Sequence, residues 1–274
     1  AASNGNGIKL YERQTPVDSL TEEAAAIELI EFALTEERFT LLYQPIVGLA
    51  AHNTSRGYEV LLRLQDKDSG AAISPNTFLT TLEHAQTCVK LDQWVIAETF
   101  KRYASSLAEQ RHNQVYINLT ASTFQTPDML VWIQDQLKQQ RIPAGLITFQ
   151  ISESDMTTSI QQAQSFCSGL KKLGCKVCIK HFGISANAEI LRKQIKPELI
   201  KLDGSFVQDL NSSAETDKAF TAFVHTLNEA GVQTIAPLVE DARVMGKLWK
   251  SGIDYIQGYY LQQPSATMDY DFFE

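Results

Sequence analysis

Nowhere in these 274 residues does an apolar run approach the roughly 20 residues that a membrane-spanning helix needs, so no membrane span is expected. The chain also lacks a G-x-G-x-x-G turn after its first strand-like run, and it lacks a Walker-type phosphate loop. Those absences remove the usual dinucleotide and P-loop folds from consideration. Positive charge is scarce: 24 Lys and Arg against 32 Asp and Glu leave a net charge of −8. Gripping a nucleic-acid polymer takes a broad basic field, so that class is excluded, although a small anionic ligand held by a few well-placed cations is not. Cysteine is limited to Cys88, Cys167, Cys175 and Cys178, too few for a disulfide framework in a chain this long. Cys175 and Cys178 form a C-x-x-C, but no second pair follows and both fall on or beside the strand-like KVCIK. They read as buried thiols of a reducing compartment rather than a redox pair or half a zinc site, which points to the cytoplasm. The opening AASNGNG has neither a charged n-region nor an apolar h-region and reads as a linker or appended tail. Residues 1–17 are therefore expected to be a tail, and 18–274 a single domain.

What is present is an alternation. Apolar residues make up 44% and charged residues 20%, ordinary for a globular protein. An amphipathic helix is expected over 18–38, with Asp18 or Ser19 as its cap. Strand-like runs then follow at 39–47, 57–64, 115–120, 146–152, 176–182, 199–205, 233–239 and 255–261. Helical patterns lie between most of them: PNTFLTTLEHAQ, LDQWVIAETFKRYASSLAEQ, ASTFQTPDMLVWIQDQLKQQ, TSIQQAQSFCSGLKKLG, SAETDKAFTAFVHTLNEAG and DARVMGKLWKSG. Gly174 and Gly231 stand where helix-capping glycines belong. Eight strands in this rhythm predict a (β/α)₈ barrel, with an open doubly wound sheet as the rival. Only the turn-rich 48-GLAAHNTSRG-57 separates the first two strands, which predicts a hairpin. The expected fold is α/β, a modified TIM-like barrel with one antiparallel strand.

In such a barrel the C-terminal ends of the strands share one pocket. The polar residues there are Gln44, Glu59 with Arg63, Asn118, Gln150 with Glu153, Lys180 with His181, Lys201 with Asp203, Glu240, and Gln257. Any one of them has a bland reading as a solvated rim residue. Their recurrence on nearly every strand predicts a binding site.

Taken together, 58-YEVLLRL-64, 116-YINLTASTF-124, 149-FQISES-154, 200-IKLDGSF-206, 239-VE-240 and 257-QGYYLQQP-264 resemble the EAL domain family, the cyclic di-GMP phosphodiesterases. The likeness runs in order from about residue 39 to 264. It implies a (β/α)₈ barrel with one antiparallel strand. It also implies a divalent-metal phosphodiesterase site, since hard cations held by carboxylates lower the pKa of bound water. Carried over by position, Glu59 and Asn118 match metal ligands, Lys201 matches the lysine beside the attacking water, and Glu153 matches a loop-supporting glutamate. Glu240 matches the second Glu of the family's A-E-G-V-E.

The departures fall on the metal cage. Gln150 stands for the first Glu of the family's E-x-T-E, Lys180 and His181 for the paired Asp of D-D-F-G, and Pro237 for the first Glu of A-E-G-V-E. The loop after Gly183 lacks the family's T-G-Y-S-S pattern, which helps order metal binding and dimer contacts. The resemblance, with these losses, implies a degenerate domain that needs no cofactor and binds cyclic di-GMP without cleaving it. A weak or conditional phosphodiesterase is the alternative, and a ligand-free interaction scaffold a third. Arg63 matches the arginine that grips a ligand phosphate, and Gln44 can hydrogen-bond a guanine or phosphate edge. Val60 and Leu61 can offer backbone and apolar surface to a base, and Pro237 can pack against one. Asp92 can accept from guanine N1 and N2 or cap a helix. Gln257 preserves the end of the last strand, whereas Tyr259 and Tyr260 read as structural. The E-V-L form of the signature, at Glu59, Val60 and Leu61, is that of receptors in this family that regulate type IV pili and twitching motility. For those, resemblance implies upstream sensory and GGDEF domains and a PilZ-domain adaptor as partner.

Overall fold

A computed structural model describes residues 16–49, 56–65, 72–75, 85–108, 112–210 and 212–272. The two longest strands, β1 (Phe39–Gly48) and β2 (Arg56–Gln65), pair antiparallel from Phe39 opposite Leu64 to Val47 opposite Arg56. A two-residue strand β3 (Ala72–Ile73) is added antiparallel at the end of β2. Six further strands run parallel to β2 and to one another: β4 (Gln114–Asn118), β5 (Ile147–Ser152), β6 (Lys176–Phe182), β7 (Leu199–Leu202), β8 (Gln233–Ala236) and β9 (Tyr255–Ile256). β9 then pairs antiparallel with β1 and closes the ring. The result is an eight-stranded barrel in which β1 alone is reversed.

Helices cover the outside: α1 (Pro16–Thr35), α2 (Ala85–Ala108), α3 (Ala121–Gln125), α4 (Met129–Gln139), α5 (Glu153–Thr158), α6 (Ile160–Lys172), α7 (Ala188–Ile195), α8 (Gly204–Gln208), α9 (Ala214–Glu229) and α10 (Met245–Ser251). No helix among the described residues is long and apolar enough to cross a membrane. After β9 the chain folds back over β1, where Tyr43 and Ser265 exchange two backbone hydrogen bonds. Tyr270 N donates to the Tyr58 hydroxyl, and Phe272 meets the Tyr58 ring edge-on.

Side chains alternate across a strand, so each strand has an outer and an inner set. The outer sets, such as Tyr58, Val60, Leu62 and Leu64 on β2, join the helices in the main core. The inner sets make a small separate cluster of Ile46, Tyr116, Cys178, Leu199, Ile235 and Tyr255, which fills the barrel. Two residues beyond each of these on β4, β6, β7 and β9 come Asn118, Lys180, Lys201 and Gln257; on reversed β1, Gln44 comes two before Ile46. The parity rule that packs the barrel therefore also aims these polar groups into its open end.

Several expectations need correction. The helix expected over 121–140 is two helices, because Pro127 clashes with a helical residue before it. Thr126 is extended (φ −81°, ψ 123°) and Asp128 turns left-handed (φ 65°) before α4 restarts. The first helix spans Pro16–Thr35 rather than 18–38, since the chain turns at Glu37 (φ 51°). The last strand keeps only Tyr255–Ile256 and β8 ends at Ala236, because both chains leave the wall to build the rim. α7 occupies sequence read as loop. The expected helix PNTFLTTLEHAQ lies largely outside the described residues, as does nearly all of the tail. All four cysteines are free and buried. Burial pushes the thiols of Cys167, Cys175 and Cys178 up to about 12 and that of Cys88 to about 11.

Candidate functional site: a carboxylate caged by donors at the barrel mouth

At the C-terminal end of the parallel strands lies a cavity of about 570 Å³. Its floor is organised around Glu59 on β2. Oε1 of that carboxylate accepts from Asn118 Nδ2 on β4 (2.9 Å) and Gln150 Nε2 on β5 (2.8 Å). Oε2 accepts from Lys201 Nζ on β7 (2.9 Å) and Gln257 Nε2 just beyond β9 (2.6 Å). The second Gln257 N–H goes to Gln44 Oε1 on β1, at 3.0 Å. Lys180 Nζ on β6 donates to Asn118 Oδ1 at 2.8 Å. Residues from six strands and the segment just past β9 are thereby tied into one network around a single anion.

The charges follow from that wiring. Burial works to raise the Glu59 pKa, but the Lys201 ammonium and the hydrogen bonds from Lys201, Asn118 and Gln257 hold it at about 2. Lys180 is pulled below the ordinary lysine value by burial, against the attraction of Glu59. Asp92, buried on α2, is raised by burial despite three donors on its Oδ2: Thr120 N (2.8 Å), Thr120 Oγ1 (2.8 Å) and Thr123 Oγ1 (2.6 Å).

The donor set was tested against the divalent ions that the resemblance implies. Hard cations of this kind take about six oxygen ligands, carboxylates foremost. Here both Glu59 oxygens and Asn118 Oδ1 are already occupied by donors. Gln150 Oε1 is buried without a hydrogen-bond partner, a single neutral oxygen. No group of three or more His, Cys, Asp or Glu among the described residues could hold a metal. The residues present do not fit a divalent ion.

The EAL domain family profile matches residues 28–264. The chain belongs to the EAL domain family. Cyclic di-GMP phosphodiesterase PdeF of Escherichia coli (strain K12) is 28% identical over 253 residues, covering 91% of this chain and 33% of that protein. This domain spans about a third of the length of the curated relatives it matches. Among solved structures, the FimX EAL domain of Pseudomonas aeruginosa bound to c-di-GMP is 38% identical, with a TM-score of 0.84, covering 90% of this chain and 99% of that one. The Xanthomonas citri FimX EAL domain in complex with c-di-GMP is 25% identical, with a TM-score of 0.83, covering 93% and 99%.

All nine residues singled out as ligand contacts border this cavity: Gln44, Glu59, Val60, Leu61, Arg63, Asp92, Asn118, Pro237 and Gln257. They are not equivalent. Val60 is out of phase with Glu59 and Leu61, and its side chain belongs to the main core. Asp92 is not the cap of its own helix. It sits inside α2 and secures Thr120, at the start of α3, leaving Oδ1 without a partner among the described residues. The Arg63 guanidinium donates to the Leu62 carbonyl at 2.7 Å and makes no ion pair among the described residues. Glu153 accepts from Gly183 N (2.5 Å) and Ser185 N (2.9 Å), fastening the loop after β6.

Adjacent in sequence, Lys180 and His181 part company. Lys180 lies buried on the cavity floor, whereas His181 borders the same cavity from an exposed position, at a bulge in β6 with φ 54°, and pairs with Asp203 Oδ2 at 3.3 Å. The rim also contains residues that sequence reasoning undervalued. Tyr259 borders the cavity and is 57% exposed. Leu238, at φ 55° and 50% exposed, borders it too. Gly258 is required where this rim crosses the wall: a Cβ there would lie 2.1 Å from the Val239 carbonyl oxygen.

Proposed function

We propose that this EAL domain is a receptor that binds cyclic di-GMP and leaves it intact. The observation that carries the reading is the Glu59 carboxylate, whose two oxygens accept from four protein donors, one of them the Lys201 ammonium. An enzyme of this family needs that carboxylate for a metal. In this chain, one protein cation and three amides occupy it. The ligand-bound FimX EAL domain, 38% identical over 90% of the chain, supports cyclic di-GMP as the ligand.

In this reading Arg63 grips a phosphate as a planar, permanently charged fork. Lys180 offsets the remaining phosphate charge without a metal ion, while Lys201 neutralises Glu59. Asp92 Oδ1 accepts from a guanine edge, Leu61 and Pro237 pack on the bases, and Gln44 and Gln257 hold the floor. Ligand binding would be metal-independent and would regulate type IV pili and twitching motility through a PilZ-domain adaptor, as the E-V-L signature and the likeness to FimX support.

Incubation of the domain with cyclic di-GMP and millimolar manganese, followed by chromatography, tests the absence of hydrolysis. The expected result is unchanged cyclic dinucleotide after many enzyme equivalents of substrate have been offered. Multiple-turnover release of linear pGpG would replace the receptor with a slow, metal-dependent phosphodiesterase.

A further inference from the structure

We propose that the closed end of the barrel, opposite the cavity, docks on an anionic lipid surface. Residues 138–196 hold nine Lys and Arg against three Asp and Glu. That is a surplus of six in a chain of net charge −8, so the rest of the chain carries −14. Lys180 belongs to the cavity at the other end, but the fold gathers most of the remaining cations. α4, α6 and α7 each run back against the strands, so their C-terminal turns meet where β5, β6 and β7 begin, and α6 packs against both its neighbours.

Lys138, Arg141, Lys172 and Lys196 are exposed at these three turns. None of the four makes an ion pair or side-chain hydrogen bond among the described residues. Their neighbours are used differently: Lys171 Nζ donates to the Ile195 carbonyl (3.1 Å), and Lys176 Nζ donates to Gln114 Oε1 (3.0 Å).

Two of the four unpaired cations occupy costly positions. Arg141 (φ 55°) and Lys196 (φ 51°) are left-handed residues at helix ends, where α6 and α9 use Gly174 (φ 90°) and Gly231 (φ 74°). A long side chain in that conformation is strained relative to glycine. Glycine is not obligatory at such ends, since Glu37 (φ 51°) follows α1, but a cation at both positions adds charge to this face where backbone conformation alone would favour glycine.

The four cations come from three successive turns around a rim, and none borders the cavity, which opens at the other end. Such an array suits an extended plane of negative charge better than a small ligand. The acidic remainder of the domain does not oppose the contact, because at physiological salt its field decays over about 8 Å. Docked this way, the domain presents its cavity to solvent, free to take ligand.

The test is sedimentation of the chain with phosphatidylcholine vesicles, with and without about a third phosphatidylserine. The expected result is co-sedimentation with the serine-containing vesicles at about physiological ionic strength, and release at higher salt. A variant combining Lys138→Gln, Arg141→Gly, Lys172→Gln and Lys196→Gly should lose roughly fivefold per cation. Its melting temperature should hold or rise, because the two glycines relieve strain. Absence of binding to anionic vesicles at physiological ionic strength would overturn the proposal, as would full binding by the variant. Binding to a soluble polyglutamate peptide but not to vesicles would also overturn it, assigning the face to an acidic protein instead.

Discussion

Lys201→Met is expected to cost the fold about 3–5 kcal/mol, because it leaves the Glu59 carboxylate buried without its cation. The Lys201–Glu59 pair is 2.9 Å apart and nearly inaccessible to solvent, so water cannot take over from the lost ammonium. Three amide donors would remain, but none carries charge. The deficit has a characteristic pH dependence. In the parent, Glu59 titrates at about 2 when folded against 4.5 as a free side chain. Its interactions therefore contribute about 3 kcal/mol, fully present above pH 4.5 and lost as the pH falls through about 2. In the variant, burial is no longer outweighed, and the Glu59 pKa moves up. Protonation then relieves the buried charge, so the stability gap between parent and variant is widest near neutrality and narrows in mild acid. Urea unfolding of both proteins across that range measures it. A gap below about 1 kcal/mol at neutral pH, or one that widens with acid, would mean that Glu59 is not held by Lys201.

Arg63→Ala is expected to weaken cyclic di-GMP binding about 100-fold or more, the usual consequence of truncating one partner of a desolvated charge pair. Arg63 lies on β2 in phase with Glu59 and borders the cavity, with its guanidinium anchored on the Leu62 carbonyl. The anchor uses one donor of a five-donor fork and leaves the others for a phosphate. Arg63→Lys should recover only part of the loss, because an ammonium cannot make two parallel hydrogen bonds to phosphate. Calorimetric titration of the three proteins, with melting curves to show that the fold is intact, separates the cases. An unchanged affinity in Arg63→Ala would move the ligand to another part of the cavity.

Much of this site could be read from the sequence, because strand parity and the βα rhythm are local properties. The polar residues following each apolar run landed at one mouth because the barrel puts every strand end there. The absence of a helix between 48 and 57 marked the reversed strand for an equally local reason. What could not be read was non-local. That Asp92 would cap α3 from inside another helix depends on how α2 packs across the β4–α3 loop, which no spacing reveals. The separation of Lys180 from His181 depends on a bulge in β6, and the sequence shows only two neighbouring basic residues. Tyr259 and Leu238 were undervalued because β8 and β9 stop earlier than their apolar runs do. Pro127 is a different case. Its restriction on Thr126 was present in the sequence, and the amphipathic pattern on either side of it obscured the break.

In the receptor reading, protein cations do at this mouth what metal ions do in catalytic members of the family. That reading is tested most directly by titrating cyclic di-GMP into the domain calorimetrically in excess EDTA, then repeating the titration with manganese. The receptor reading predicts saturable binding in EDTA, with the same affinity when manganese is present. No heat of binding in EDTA, restored by manganese, would contradict it.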